Sequence, residues 1–250
     1  PLPCGAGQVP EVARAKELIS AKTRAIVLVT PNNPTGAEYP SETIGAFYAL
    51  CQSAGIALII DETYRDFLTA PGAPHALFQD DGWPDTLIHL YSFSKAYRLT
   101  GHRIGAVVTS EARLAEIEKY LDTVTVCPTQ LGQKAALWGM ENLDQWLAGE
   151  RDEILARRDA ILTHFPRLAS KGWELLGAGA YFAYVRFPFP IRSDIFAQKL
   201  VEKAHVLCLP GTMFEPAGHG ERELRIAYAN IDADGIATLF DRLEQFDPTT

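Results

Sequence analysis

Four short apolar runs, each closing on a turn or a polar cluster, limit what this 250-residue chain can fold into more than any other feature. They are Ala25-Ile26-Val27-Leu28-Val29, Ile56-Ala57-Leu58-Ile59-Ile60, Thr86-Leu87-Ile88-His89-Leu90 and Ile104-Gly105-Ala106-Val107-Val108. Near-continuous apolar runs of this length read as strands buried on both faces. Helical patterns lie among them, from Val9 to Ser20 and from Ser41 to Ala54. The second places Ile44, Phe47, Tyr48 and Cys51 on one face and stops at Gly55. Strand-helix-strand alternation of this kind implies an α/β architecture, a mostly parallel sheet sandwiched by helices.

The pattern then changes. Helices are expected over Glu111 to Leu121, about Gln130 to Met140, and about Asp144 to Leu168, the last with Ile154, Leu155, Ile161 and Leu162 as its apolar stripe. From Lys171 short strands return, at 173–176, 181–187, 206–209 and 224–228. Ser193 is placed to cap a helix through Ala204, and Asp232 a final helix to Phe246. The expected division is a large domain over 1–145, a connecting helix over 146–170, and a smaller α+β domain over 171–250.

A net charge of -8 argues against a nucleic-acid surface, which needs a clustered basic face. No apolar stretch reaches membrane-span length, and no secretory leader is visible. Four scattered cysteines (Cys4, Cys51, Cys127, Cys208) read as mostly buried thiols in a reducing cytoplasm, without a disulfide framework or a zinc cluster. The six histidines show no metal spacing and read as surface or packing residues. The chain opens on Pro1-Leu2-Pro3-Cys4 without an initiator Met, as if entered in mid-element.

In an open α/β sheet, ligands bind in the crevice at the strand ends. Five residue types gather there: the amide of Asn33 in the loop 30–36, the carboxylate of Asp61, the phenol of Tyr64, the amine of Lys95 and the guanidinium of Arg103. Glu62, beside Asp61, reads as solvated. A lysine at such a place can be a solvated cation or a nucleophile, and only the neutral amine attacks a carbonyl. The five groups match what pyridoxal 5'-phosphate requires. A lysine forms the imine, a carboxylate keeps the pyridine nitrogen protonated, phenol and amide hold the phenolic oxygen, and hydroxyls with arginine grip the phosphate.

Asn33-Pro34-Thr35-Gly36, Asp61 with Tyr64 three residues on, Ser92-Phe93-Ser94-Lys95, Gly101-His102-Arg103-Ile104-Gly105 and Leu224-Arg225-Ile226 occur in that order. With them the chain resembles the class I/II aminotransferases, fold-type-I enzymes that depend on pyridoxal phosphate. The resemblance implies that Lys95 is the Schiff-base residue. Asn33, Asp61, Tyr64, Ser92, Ser94 and Arg103 would be cofactor ligands. Arg225, with Asn33, would bind the substrate α-carboxylate. It further implies transfer of an amino group between an amino acid and a 2-oxo acid in two half-reactions, Lys95 moving the proton, in a cytoplasmic homodimer. The stretch 122–133 lacks the extra Arg of some dicarboxylate-specific members, which disfavours aspartate and leaves the donor open.

The family's upstream part, with two sheet strands and a phosphate loop, has no counterpart here, so the isolated chain is expected to turn over poorly. Other readings stay open at this point. A carbon–sulfur lyase or a synthase of the same fold would share the cofactor grip. A non-catalytic effector domain of a transcription regulator would share the fold. A serine hydrolase using Ser92-x-x-Lys95 with Tyr228-Ala229-Asn230 would lack its third element, since Lys22-Thr23 is followed by Arg24 and lies upstream, and would leave Asp61 without a role.

Overall fold

The four apolar runs do form one sheet in the computed structural model, which describes Leu2 and residues 4–248. Helix α1 (Val12–Leu18) precedes β1 (Ala25–Val29), α2 (Ser41–Ala54) leads to β2 (Ala57–Asp61), and a one-turn α3 (Trp83–Thr86) to β3 (Leu87–Ser92) and β4 (Gly105–Val108). The strands lie in chain order, β1-β2 and β2-β3 parallel and β3-β4 antiparallel. A mostly parallel sheet was the expectation. Its antiparallel last strand follows from the short connection at 93–104, which reverses the chain where a crossover helix would be needed to keep it parallel.

The face that α2 covers is built by period-2 alternation in the strands and by 3.6-residue spacing in the helix. Ile26, Leu28, Leu58, Ile60 and Leu87 meet Ile44, Phe47, Tyr48 and Cys51, all buried. Each large side chain fully withdrawn from water contributes roughly 1.5–3 kcal/mol. The helix ends where expected, at Gly55, whose φ of 63° puts it in the left-handed region that suits glycine. Between β2 and β3, residues 65–86 carry three short helical turns, including α3.

Helices α4 (Glu111–Val124) and α5 (Gln130–Asn142) lead into the long α6 (Asp144–Ala169). A second sheet follows, made of β5 (Glu174–Gly179), β6 (Phe182–Arg186), β7 (Leu209–Pro210) and β8 (Glu223–Ala227), ordered β5-β6-β8-β7 and antiparallel throughout. Helices α7 (Ser193–Lys199) and α8 (Ala233–Gln245) complete it. Ile154, Ile161, Phe165 and Leu168 of α6 pack with Ile236, Phe240 and Leu243 of α8 in the second core. Phe187 stacks on Phe196 at 4.1 Å between ring centroids.

Several sequence expectations need correction. Leu162 is exposed, and Phe165 and Leu168 take the buried places on α6. The helix cap at 193 is Arg192, while the Ser193 hydroxyl is buried and donates to the Gly220 carbonyl at 2.8 Å. Helical structure does run on to Ala204, through a wider π turn over Leu200–Ala204. Asp232 caps α8 as expected, accepting from Gly235 N–H at 2.8 Å. Cys51 and Cys208 are buried, but Cys4 and Cys127 are exposed. No helix among the described residues is long and apolar enough to cross a membrane.

The two sheets meet through backbone. A Cβ on Gly36 would lie 2.4 Å from Gly179 N, and one on Gly177 2.4 Å from Thr35 O, so the loop 30–36 and β5 touch with nothing between them. Tyr64 and Phe67, just beyond β2, enter the second core. Arg151 of α6 ties the chain after them by donating to the Leu68 and Thr69 carbonyls at 2.7 Å each. The ends of the first sheet are therefore held against the second.

Candidate active site

At the end of β1, Asn32 is a structural tie. Its side chain accepts from Thr35 Oγ1 at 2.9 Å and donates to the Val29 carbonyl at 3.2 Å, while Gly36 N–H donates to its carbonyl at 2.8 Å. The turn so formed leaves Asn33 exposed, and its Oδ1 accepts from an Arg225 guanidinium nitrogen at 2.7 Å. Spacing alone gives no sign of a contact between positions 33 and 225, which only the family resemblance put at one carboxylate.

At the end of β2, Asp61 keeps one oxygen busy. Oδ1 accepts from Thr63 N–H at 3.0 Å and Thr63 Oγ1 at 2.6 Å, and Oδ2 has no protein partner among the described residues. Tyr64 is buried with its ring edge-on to Tyr181 and Phe182, both at 5.4 Å. Burial pushes its phenol up to about 12, with the Arg225 charge acting against the rise and the Asp61 charge adding to it.

At the end of β3, the turn 92–100 is closed by its own bonds. Ser94 N–H donates to Ser92 Oγ at 3.3 Å, Thr100 Oγ1 to the Ser94 carbonyl at 2.8 Å, and Arg98 N–H to the Lys95 carbonyl at 3.1 Å. Lys95 is thereby aimed with its Nζ 5.8 Å from the centroid of the Tyr64 ring. The amine makes no hydrogen bond or ion pair among the described residues. Tyr91, earlier on the strand, donates to Asp66 Oδ2 at 2.6 Å and fastens the neighbouring turn.

Arg225 on β8 completes the group. Its guanidinium lies between Phe182, at 4.6 Å, and Phe214, at 4.7 Å. Stacking of this kind fixes the plane of a guanidinium and leaves its N–H edge to bond. Its Nε is buried without a partner, and burial lowers its pKa. A cavity of about 670 Å³ opens beside it, lined among others by Asn33, Thr35, Tyr39 and Phe214; Lys95 lies outside this lining.

The structure thus brings Asn33 to Arg225, and both Asp61 and Lys95 to Tyr64. Among the described residues Arg103 shares no hydrogen bond or ion pair with them. That side chain is exposed and donates to the Thr100 carbonyl at 3.0 Å, and Ser92 and Ser94 bond within their own turn. Ser92 Oγ makes no bond to Lys95, so the hydrolase pairing has no support.

Sequence reasoning missed two features. Phe182 faces Arg225 because β6 and β8 pair Tyr184 with Arg225, which makes Phe182 the diagonal neighbour. Phe214 arrives from a loop no spacing connects to β8. Glu62, expected to be solvated, is fully buried, and His75 and His89, expected as surface or packing residues, are its partners. Alternation offered a signal for Glu62, which continues the buried face of Leu58 and Ile60.

Residues 9–243 match the family model for aminotransferases of class I and II. The chain belongs to this family. Among curated relatives it is 27% identical over 239 residues to an aspartate aminotransferase of Sulfolobus acidocaldarius, covering 91% of this chain and 57% of that protein. It is 26% identical to aromatic-amino-acid aminotransferase 2 of Thermococcus litoralis, covering 94% and 60%. In both cases the chain spans less than two thirds of the relative. Among solved structures, Thermus thermophilus aspartate aminotransferase with maleate superposes with a TM-score of 0.83 at 26% identity, over 96% of this chain and 61% of that one. The N-succinyldiaminopimelate aminotransferase of Mycobacterium tuberculosis shares the fold with a TM-score of 0.85 at 23% identity, over 97% and 63%. The expected α/β sheet with a smaller second unit is therefore the aminotransferase fold.

Proposed function

We propose that this chain is the catalytic part of an aminotransferase that uses pyridoxal 5'-phosphate to move an amino group from an amino acid to a 2-oxo acid. The observation that carries the reading is the unpaired amine of Lys95 beside the Tyr64 phenol, with Asp61 on the same turn as Tyr64. The donor set fits the cofactor. Among the described residues Lys95 Nζ, Asp61 Oδ2 and the buried Arg225 Nε have no hydrogen-bond partner, which leaves an amine, a carboxylate oxygen and a guanidinium N–H for a ligand.

In this reading Asp61 pairs with the ring nitrogen, Tyr64 and Asn33 hold the phenolic oxygen, and Ser92, Ser94 and Arg103 hold the phosphate. Arg103 would have to leave the Thr100 carbonyl to do so. When bound, the cofactor withdraws electrons from the substrate Cα. Arg225 and Asn33 bind the α-carboxylate, the carboxylate taking the place beside the guanidinium that Asn33 Oδ1 holds. Lys95, as a neutral amine, would be the base that takes the substrate Cα proton and, once protonated, the acid that gives it up again. The substrates would be an amino acid and a 2-oxo acid. A homodimer is in keeping with the exposed apolar residues of 120–138, among them Tyr120, Val126, Leu131 and Trp138. Four free cysteines suit a cytoplasmic setting. The division at 1–145, 146–170 and 171–250 is supported by the two separate sheets, although α6 packs into the second core.

The test is to add pyridoxal phosphate to the purified chain, reduce with borohydride and map the labelled peptide. A single label on Lys95, absent from Lys95→Ala, is the expected result. A folded chain labelled only on scattered surface lysines refutes the reading.

A further inference from the structure

Directly behind the candidate site, on the opposite face of the first sheet, lies a buried carboxylate that the proposed chemistry does not use. Glu62 is 0% exposed. Its Oε2 is 2.9 Å from His89 Nε2 and 3.5 Å from an Arg65 guanidinium nitrogen, and its Oε1 is 3.2 Å from His75 Nε2. The His89 contact is a well-formed hydrogen bond. The His75 contact is close but out of line. Leu77 N–H donates to His75 Nδ1 at 3.3 Å, so in the neutral ring the proton sits on Nε2, the nitrogen 3.2 Å from the carboxylate. The Phe78 ring covers both imidazoles, at 5.9 Å from His75 and 5.6 Å from His89.

Burying an ion network at a place an apolar side chain could fill adds little stability, because desolvation consumes the attraction. What it adds is direction. Apolar packing tolerates small rotations, whereas a carboxylate held by imidazoles from two other elements does not. Here the three elements are the end of β2, the middle of β3 and the loop carrying His75. Side chains alternate along β2, so Glu62 points away from the face that Asp61 occupies, and any rotation of one turns the other. The turn is closed around Glu62 by three backbone bonds. Glu62 N–H donates to the Leu90 carbonyl at 2.9 Å, Arg65 N–H to the Glu62 carbonyl at 3.0 Å, and Thr30 N–H to the Asp61 carbonyl at 3.0 Å.

We infer that Glu62 is a positioning residue: clamped by His75 and His89 beneath the sheet, it fixes the turn 61–64 and so aims the Asp61 carboxylate and the Tyr64 phenol. Its importance for the reaction rests on the reading of Asp61 as partner of the ring nitrogen. The clamp itself can be measured without cofactor. Thr63 N–H bonds Asp61 Oδ1, so its protection from hydrogen exchange reports the aim of that carboxylate directly.

The experiment compares amide exchange in the 250-residue chain, Glu62→Leu and Glu62→Gln, at a temperature where all are folded. Glu62→Leu keeps the volume and removes both acceptors. Glu62→Gln keeps one acceptor. Expected are at least tenfold faster exchange at Thr63 and Arg65 in Glu62→Leu, unchanged exchange at Phe47 and Tyr48 inside α2, and recovery of most of the protection in Glu62→Gln. Uniform acceleration at all four amides would make Glu62 a general stabiliser and overturn the inference, as would unchanged exchange at Thr63 and Arg65. If Glu62→Leu does not fold, His89→Phe removes one arm of the clamp with a ring in place, and the same four amides decide. A failure of the site reading looks different: Asp61→Asn would then leave pyridoxal phosphate labelling of Lys95 unaltered while the exchange result stood.

Discussion

The seam between the two sheets gives a quantitative prediction. Gly36 has φ 72°, and an added Cβ would lie 2.4 Å from Gly179 N, 2.6 Å from Phe182 O and 2.9 Å from Gly179 O. Two costs therefore add in Gly36→Ala. The left-handed backbone costs an L-residue about 1–2 kcal/mol, and forcing backbone apart in a packed interface costs about 1–3 kcal/mol more. Gly55→Ala is the control, because φ is 63° and nothing lies within 4 Å of its Cβ position, so only the first cost applies. Gly179→Ala isolates the second, since its φ is not positive and its Cβ would meet Gly36 O at 2.2 Å. Urea denaturation followed by circular dichroism should place Gly36→Ala about 1–3 kcal/mol below Gly55→Ala. The double variant Gly36→Ala/Gly179→Ala should lose less than the sum of its parts, because the same two backbones are pushed apart once. Equal losses in Gly36→Ala and Gly55→Ala, or full additivity in the double variant, would refute the close-contact argument.

Three further outcomes are expected. Burial opposes the charge of Glu62, but the imidazoles of His75 and His89 and the charge of Arg65 outweigh it and bring its pKa down to about 2. Its contribution to stability is thus complete above the ordinary carboxylate range near 4.5 and vanishes as pH falls through about 2, so urea midpoints measured from pH 5 downward should fall more steeply in the wild type than in Glu62→Gln. The stability at stake is on the order of 3 kcal/mol, and parallel curves would contradict it. Phe196→Ala, which removes a fully buried ring stacked on Phe187, should cost about 3–5 kcal/mol in thermal or urea unfolding, a loss below about 1 kcal/mol showing that the second core had collapsed around it. Arg225→Lys gives up both the fork and the two-sided stack on Phe182 and Phe214, so calorimetric titration of the cofactor-loaded chain with a 2-oxo acid should show tenfold or greater weakening; undiminished affinity would remove Arg225 from the carboxylate site.

Much of this molecule is written in local pattern. The runs at 25–29, 56–60, 86–90 and 104–108 are legible as strands from their apolar β-type residues, and the spacing of Ile44, Phe47, Tyr48 and Cys51 makes one helical face for Ile26, Leu28, Leu58, Ile60 and Leu87. The expected burial on both faces does not hold, since Val27, Val107 and Val108 are exposed. Order along the chain was enough to put Asn33, Asp61, Tyr64 and Lys95 at strand ends, and the grouping of such ends is a property of parallel sheets rather than of any one residue. The Asp232 cap was legible for the same reason, since it depends on a bond three residues long.

What tertiary structure alone decided involves partners distant in sequence or groups with two possible environments. Ser193 could cap or turn inward, and the buried Gly220 carbonyl decided it. Glu62 could be solvated or buried, and imidazoles 13 and 27 positions further on stabilised the buried state. Arg225 meets Phe182 through strand pairing, but Phe214 and Asn33 only through the folding of loops against β8. Arg103 lies close to the other candidates in sequence and yet turns to the Thr100 carbonyl. Periodicity reports whether a side chain faces water or core, a choice made over a few residues by the hydrophobic effect. Which polar group meets which is set by directional contacts between segments far apart in the chain, and those exist only once the backbone is in place.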